Sequence, residues 1–188
     1  MSGRVRVYIA TSIDGFIAGP DDDLSWLPGA DPAASTNDVG PPADPDALTY
    51  EAFMADVGAL LMGRRTYDVV AGFDMDWPYG ETPVLVATTR RLDPPASSVR
   101  VVSGDVGDLV RDALEAANGR DVYLDGGNLI RQALDAGLVD EVVTTIAPVV
   151  LGRGHSLFAG VERQHAMQLV AHRRFTHGMV QLVWHVDR

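Results

Sequence analysis

With 188 residues, 46% of them hydrophobic, the chain can bury one sizeable core but not two, so we expect a single domain over residues 1–188. Its formal net charge of −11 argues against nucleic acid and an anionic membrane surface as partners. The absence of cysteine excludes disulfides, a thiol nucleophile and zinc–thiolate sites, and the five histidines show no metal-ligand spacing, so we expect no metal site.

The predicted elements alternate between strand and helix along most of the chain. In order they are a strand at 4–10, an apolar stretch at 16–18, a helix at 46–54 with Asp46 as N-cap, a strand at 57–62, a helix at 64–70 that ends at Gly72, strands at 83–87 and 99–102, a helix at 104–117, a strand at 121–124, a helix at 129–136 and a strand at 141–147. Two last strands, 167–175 and 179–186, flank a Thr-His-Gly turn and predict an antiparallel hairpin. This order predicts an α/β fold with three layers, in which helices cover both faces of a mixed, mainly parallel sheet.

The segment 19–46 differs from the rest because it holds six of the 11 prolines and many aspartates. Long segments of this kind are usually functional lids or connectors. Trp26 and Leu27 would anchor it to the apolar core, so we interpret it as a lid. No apolar run in the chain is long enough to span a bilayer, and Asp14 interrupts the N-terminal stretch where a signal peptide needs an apolar centre. We therefore expect a cytoplasmic protein.

Polar or glycine-rich motifs follow three of the predicted strands. They are Gly-Arg-Arg-Thr at 63–66, Thr-Thr-Arg-Arg at 88–91 and Asp-Gly-Gly-Asn at 125–128. In an open α/β sheet, ligands bind beyond the carboxyl ends of the strands, where helix N-termini present free N–H groups. We therefore predict a cradle for a phosphate-rich cofactor, in which the arginines at 64, 65, 90 and 91 converge with the amides near 126 and 127.

All fifteen cationic side chains are arginines, since the chain has no lysine. A lysine base or Schiff base is thus excluded, and phosphate contacts must come from arginine, hydroxyl or backbone groups. Each motif also has a purely structural interpretation: arginine pairs are commonly solvated, Thr66 can be a helix cap, and Gly126-Gly127 can be a tight turn. Asp14-Gly15 is interpreted as a structural turn.

Four segments together resemble the dihydrofolate reductase-like superfamily, and within it the RibD C-terminal reductase domains of riboflavin biosynthesis. These segments are 7–18 (VYIATSIDGFIA), 60–68 (LLMGRRTYD), 84–91 (VLVATTRR) and 122–158 (VYLDGGNLIRQALDAGLVDEVVTTIAPVVLGRGHSLF). The resemblance covers most of the chain apart from the acidic segment, and the last motif is long and specific.

The resemblance implies NADPH as hydride donor and assigns the cofactor contacts. Backbone groups of Ala10 and Ile17 would flank the nicotinamide carboxamide. Gly63 would let the backbone approach the cofactor, Arg64 or Arg65 would bind the 2′-phosphate, and Thr66 would lie against the pyrophosphate. The remaining implied contacts are Thr88, Thr89 and Arg90 around the 2′-phosphate, and the N–H groups of Gly126, Gly127 and Asn128 at a helix start.

Asp125 is the candidate catalytic residue, because an acid before the diglycine is also typical of the riboflavin-type reductases. It would contact the substrate or relay a proton; the alternative is that it caps the following helix. Folate-reducing relatives carry a carboxylate in the helix before the Gly-Arg motif, where this chain has Ala47. The resemblance therefore implies an NADPH-dependent reductase, with a small pyrimidine of riboflavin synthesis as first candidate substrate and a pterin or folate as second.

The resemblance also implies a homodimer. Two alternatives from other classes stay open. The first is a non-catalytic NADP(H)-binding module, which Ala47 permits, and the second is an interaction domain without a cofactor.

Overall fold

The computed structural model describes residues 3–27, 42–73 and 75–187. Its strands are β1 (Val5–Thr11), β2 (Phe16–Ala18), β3 (Val57–Gly63), β4 (Val84–Ala87), β5 (Val99–Val102), β6 (Asp121–Asp125), β7 (Glu141–Ile146), β8 (His155–Ser156), β9 (Met167–Arg174) and β10 (Val180–Val186). Its helices are α1 (Tyr50–Asp56), α2 (Arg64–Ala71), α3 (Val106–Ala116) and α4 (Gly127–Asp135), with a short 3₁₀ turn at Pro20–Asp22.

Eight of these strands form one mixed sheet in the order β5-β4-β3-β6-β1-β7-β10-β9. The six strands from β5 to β7 run parallel, whereas β10 is antiparallel to both β7 and β9. The predicted mainly parallel sheet with a C-terminal hairpin is therefore confirmed. Because the six parallel strands point the same way, their carboxyl ends meet at one edge of the sheet.

The helices cover both faces of this sheet, as the near-continuous apolar strands predict. On one face α3 and α4 pack against a core that includes Val7, Leu61 and Leu124. On the other face α1 and α2 enclose a second core with Phe53 and Met62 at its centre. The fold is thus the predicted three-layer arrangement.

Helix α1 begins later than predicted, and the expectation that Asp46 caps it is wrong. Thr49 is the N-cap, since its hydroxyl oxygen accepts a hydrogen bond from the Ala52 N–H at 3.2 Å. The preceding Leu48 is held by the fully buried Gln181, which accepts from its N–H at 3.0 Å and donates to its carbonyl at 2.9 Å. Asp46 instead forms an ion pair with Arg173.

Asp14 and Gly15 form a turn that fixes the loop around residues 151–152. The Asp14 carboxylate accepts hydrogen bonds from the N–H groups of Leu151 at 3.1 Å and Gly152 at 2.7 Å. The Ser12 hydroxyl and these two amides lower the pKa of Asp14 to about 2. Gly15 has a φ of 81°, which favours glycine. These contacts support the structural interpretation of this pair.

The predicted lid segment is described only in part, because residues 28–41 lie outside the described residues. Trp26 is partly buried against a small cluster formed by Ala147, Phe175 and Met179, which agrees with its predicted anchoring role. Leu27 reaches the large cleft described below. Within the described ranges, no helix has both the length and the apolar character that a membrane span requires.

Candidate functional site

A large cleft of about 1890 Å³ opens at the carboxyl ends of the parallel strands. It is lined by the ends of β1, β3, β4 and β6, by the first residues of α2 and α4, and by the chain at residues 16–27. Small-molecule sites usually enclose about 300–1,000 Å³. The cleft is therefore large enough for a dinucleotide together with a small substrate.

Helices α2 and α4 direct uncapped N-termini into this cleft. Their N-cap residues, Gly63 and Gly126, provide no side-chain hydrogen bond, and neither helix has an acidic residue in its first turn. By contrast, α1 and α3 are capped by Thr49 and Asp105 and do carry an acidic residue in the first turn. The free N–H groups and positive dipole ends of α2 and α4 are thus available to an anion from outside the chain.

The two uncapped N-termini lie against each other. Gly126 has a φ of 96°, and a Cβ atom placed on it would lie 2.5 Å from Thr66 Oγ1 and 3.6 Å from the Gly63 nitrogen. Only glycine allows this close approach. The Gly-Arg-Arg-Thr and Asp-Gly-Gly motifs therefore form one continuous surface, as an extended phosphate group would require.

Three of the four arginines of the predicted cradle pair with one of two carboxylates. Arg64 and Arg90 both reach Asp68: Arg64 Nε lies 2.7 Å from Oδ1, and Arg90 Nη2 lies 3.9 Å from Oδ2. Arg65 points the other way, with its Nε 2.6 Å from Asp22 Oδ1. Arg91 is exposed and accepts a hydrogen bond from Arg64 through its carbonyl. The expectation that all four guanidinium groups converge is therefore wrong, because acidic neighbours separate Arg65 from the Arg64–Arg90 pair.

The cleft is lined by nearly all of the predicted site residues. The lining contains Ala10, Ile17, Gly63, Arg64, Arg65, Thr66, Thr88, Thr89, Asp125, Gly126, Gly127 and Asn128. Arg90 is not among the lining residues, and its side chain is 68% exposed. Among the described residues, no group of three or more His, Asp or Glu is placed to hold a metal ion.

Asp125 ends β6 at the inner wall of the cleft, next to three tyrosines. Burial raises the pKa of Asp125 to about 6, although its Oδ1 accepts a hydrogen bond from the Gly126 N–H at 2.7 Å. Burial, with a further contribution from the Asp125 charge, raises the pKa of Tyr50 to about 12. Burial also raises the pKa values of Tyr79 and Tyr123 above the ordinary value for tyrosine. A carboxyl group in such an apolar, aromatic setting can hold or release a proton near neutral pH.

The alternative that Asp125 caps α4 does not match the hydrogen bonds. The N-cap of α4 is Gly126, and the Asp125 carboxylate accepts a hydrogen bond from the N–H of Gly126 itself, outside the first helical turn. A capping side chain would accept from the second or third helical N–H.

The sequence model of the RibD C-terminal domain matches residues 4–181 of this chain. The chain belongs to the RibD C-terminal domain family. A protein from Shewanella sp. PV-4 that carries the provisional name riboflavin biosynthesis protein is 32% identical, with a TM-score of 0.80 over 98% of this chain and 99% of that one.

Two further comparisons place this RibD C-terminal domain among its relatives. The uncharacterized protein YyaP of Bacillus subtilis is 27% identical over 97% of this chain and 94% of that protein. A dihydrofolate reductase from Enterococcus faecalis, solved in complex with NADP(H), is 16% identical with a TM-score of 0.59 over 100% of this chain and 99% of that one. The fold is therefore dihydrofolate reductase-like.

Sequence reasoning missed the aromatic wall of this RibD C-terminal domain, formed by Tyr8, Tyr50 and Tyr123. Tyr8 and Tyr50 lie edge to face at 6.0 Å between ring centroids, and the Tyr123 hydroxyl donates to the Tyr8 carbonyl at 2.9 Å. All three line the cleft. One signal was present, since Tyr8 occupies the polar side of the alternating first strand, but its meeting with Tyr123 depends on the β1–β6 register.

Proposed function

We propose that this chain is an NADPH-dependent reductase of a small heteroaromatic substrate. The observation that carries the proposal is the meeting of two uncapped helix N-termini, those of α2 and α4, in one cleft beside the partly buried carboxyl group of Asp125. Membership of the RibD C-terminal domain family supports a reductase, and the likeness to an NADP(H)-bound dihydrofolate reductase supports the cofactor.

The described residues fit a dinucleotide phosphate. The amides of Gly127 and Asn128, with the Thr66 hydroxyl, would hold the pyrophosphate at the uncapped start of α4, whereas the Gly126 N–H already donates to Asp125 Oδ1 at 2.7 Å. The backbone of Ala10 and Ile17 would orient the nicotinamide end. NADPH, when bound, supplies the hydride, while the protein binds, orients and shields the substrate.

A preference for NADPH over NADH would come from the pocket around Thr88 and Thr89. Arg64 lies at the start of α2 and lines the cleft, and it forms an ion pair with Asp68. Arg90, in the loop after β4, approaches the same Asp68 carboxylate. A 2′-phosphate could take the place of that carboxylate and bind guanidinium groups by charge-assisted hydrogen bonds. Arg65 remains the alternative partner, provided that it leaves Asp22.

Asp125 would deliver or hold the proton that accompanies hydride transfer. Its raised pKa of about 6 keeps roughly a tenth of the carboxyl groups protonated at pH 7, far more than in an ordinary aspartate, and a general acid needs this protonated form. The adjacent tyrosines exclude water and offer aromatic surface to a planar ring. These features support a heteroaromatic substrate.

Two substrate classes follow from the family. The first is the aminouracil ribotide of riboflavin biosynthesis, 5-amino-6-(5-phosphoribosylamino)uracil, and the second is a pterin or dihydrofolate. A pterin or dihydrofolate is the less supported substrate, because this chain has Ala47 where folate-reducing relatives have a carboxylate. A homodimer and a cytoplasmic location also remain proposals.

The competing function is a non-catalytic NADP(H)-binding module. A thermal-shift titration with NADPH and NADH tests the cofactor first, since a ligand that binds only the folded state raises the melting temperature. Loss of NADPH absorbance with aminouracils and pterins then tests the reaction. We expect a larger shift with NADPH than with NADH, followed by oxidation with one substrate class. Binding without oxidation under any substrate would favour the non-catalytic module, and no shift at all would contradict both.

A further inference from the structure

One carboxylate of the cleft lining lies between two basic side chains. Asp22 ends the 3₁₀ turn Pro20–Asp22. Its Oδ1 lies 2.6 Å from Arg65 Nε on α2 and 3.6 Å from His155 Nε2 on β8. All three residues line the cleft, although they come from three separate elements of the chain. The turn is thus joined to α2, and it faces β8, through a single acidic group.

This cluster adjoins the junction of the two uncapped helix N-termini. Arg65 immediately precedes Thr66, the residue of α2 that lies against the start of α4. The strand β8, which carries His155, lies against the same helix start, since a Cβ atom on Gly127 would be 3.5 Å from the Ser156 carbonyl oxygen. The basic groups that Asp22 faces therefore belong to the two elements beside the proposed pyrophosphate site.

The contacts of Asp22 leave this cluster only partly satisfied. His155 Nε2 is buried and has no hydrogen-bond partner among the described residues, because 3.6 Å from Asp22 Oδ1 is too long for a hydrogen bond. The Arg65 side chain is 61% exposed, so water screens its ion pair with Asp22. Asp22 and its neighbour Asp21 also have left-handed backbones, with φ values of 63° and 57°, which are unfavourable for residues other than glycine. Asp22 is therefore held weakly, and an anion with more oxygen atoms could satisfy both basic groups.

We propose that Asp22 is an internal competitor of the cofactor, which holds Arg65 until the cofactor's pyrophosphate takes its place. This inference rests on the proposed function and adds to it a residue that lowers the cofactor affinity. The pyrophosphate accepts hydrogen bonds from Arg65 and His155, and repulsion between like charges drives the Asp22 carboxylate away. The turn at Pro20–Asp22 then loses its contact with α2, so cofactor binding is coupled to the conformation of this turn.

Calorimetric titration of the wild type and of Asp22→Asn, with NADPH and with NADH, tests the competition. Asparagine tolerates the left-handed conformation, so the variant should keep the turn. We expect Asp22→Asn to bind both cofactors about threefold more tightly, by the same factor, because both carry the pyrophosphate. Unchanged or weaker binding overturns the inference, and a gain limited to NADPH overturns it by moving the competition to the 2′-phosphate. Binding of neither cofactor by either protein contradicts the proposed function itself, and the inference falls with it.

Asp21→Asn is the matched control for the loss of a negative charge. Asp21 lies in the same turn with the same left-handed conformation, and it acts on Arg65 through its charge, whereas Asp22 also forms a hydrogen bond to Arg65. We expect Asp21→Asn to give a much smaller gain in affinity than Asp22→Asn. Equal gains in the two variants would show a general effect of charge on the cleft and would overturn the competition.

A double-mutant cycle identifies the group for which the carboxylate and the cofactor compete. Arg65→Gln should weaken the binding of NADPH and NADH alike. In that background Asp22→Asn should lose most of its gain, because the carboxylate no longer holds a guanidinium group that the pyrophosphate needs. A full gain in the Arg65→Gln background would show that Asp22 acts independently of Arg65, which contradicts the inference.

Discussion

Gly126 and Thr66 join the two phosphate-facing helix ends, because a Cβ on Gly126 would lie 2.5 Å from Thr66 Oγ1. This single contact places the N-terminus of α4 against that of α2, although the two motifs are sixty residues apart in the sequence. Any side chain at 126 would push the helix ends apart. Both the stability of the fold and the shape of the proposed phosphate site therefore depend on this glycine.

The first prediction is that Gly126→Ala lowers the free energy of unfolding by about 3 kcal/mol, from an unfavourable φ together with overpacking. Thermal denaturation and NADPH titration should show a lower melting temperature and weaker binding. Gly152→Ala is the matched control, since Gly152 also has a positive φ of 73° but would place its Cβ more than 4 Å from any other atom. Gly152→Ala should lower the free energy of unfolding by about 1–2 kcal/mol and leave the NADPH affinity unchanged. Equal losses in both variants would contradict the steric argument.

The second prediction concerns the stability cost of burying Asp125. Its pKa is about 6 in the folded protein, against an ordinary value of 3.8. Between these values the folded state keeps a proton that the unfolded chain has released, so the free energy of unfolding falls as the pH rises through this window. The full effect is at most about 3 kcal/mol, at 1.36 kcal/mol per pKa unit.

Urea denaturation of the wild type and of Asp125→Asn measures this effect from about pH 2.8 to about pH 7, roughly one unit beyond each end of the window. The asparagine keeps an oxygen to accept from the Gly126 N–H, so the variant should gain stability relative to the wild type as the pH rises. A difference that does not change with pH would mean that Asp125 ionises normally. If Asp125 donates the proton in catalysis, the same variant should lose most of its turnover, and wild-type turnover should decline above about pH 6.

The third prediction separates the two candidate arginines of the 2′-phosphate pocket. Arg64→Gln should weaken NADPH binding about tenfold or more, because a charge-assisted hydrogen bond contributes roughly 1.5–3 kcal/mol. NADH affinity should change little, since NADH has no 2′-phosphate. Arg100→Gln, on β5 with its guanidinium near the Asp112 carbonyl, is the control. A selective loss in Arg65→Gln instead of Arg64→Gln would assign the pocket to Arg65.

Much of the fold could be predicted from local patterns. The parallel strands are continuous apolar runs that end in polar or glycine motifs, and these motifs mark the carboxyl edge where the cleft lies. What could not be predicted depends on distant contacts. Helix α1 begins at Tyr50 and not at Asp46 because Gln181, far along the chain, holds Leu48 in place. The β8 strand has two residues, too few for a periodic pattern.

The candidate site could likewise be predicted from the sequence only in part. The helix N-termini could be located because glycine and threonine have clear local roles there. The separation of Arg65 from Arg64 could not be predicted, because it depends on Asp22, which the fold brings to α2 from a distant segment. The aromatic wall likewise depends on the β1–β6 register that sets Arg6 opposite Tyr123.

The fourth prediction separates stability from function at the opposite edge of the sheet. Arg6 is 4% exposed and lies with its Nη2 2.6 Å from Glu141 Oε1 and its Nη1 3.2 Å from Asp121 Oδ2. Its guanidinium also stacks 4.7 Å from the Phe53 ring centroid. Glu141→Gln removes one charged partner of Arg6, which keeps Asp121, so it should lower the free energy of unfolding by roughly 1.5–3 kcal/mol, the contribution of a hydrogen bond to a charged group.

Urea denaturation measures this loss, with Arg111→Gln as the control. Arg111 forms an exposed ion pair with Asp108 on α3, and solvent screens such a pair, so its loss should change stability little. Because the Arg6 network lies at the amino ends of β1, β6 and β7, away from the cleft, folded Glu141→Gln should bind NADPH with wild-type affinity. If Glu141→Gln lowered the NADPH affinity without lowering stability, the Arg6 network would affect cofactor binding in the cleft. A purely structural network would change stability alone.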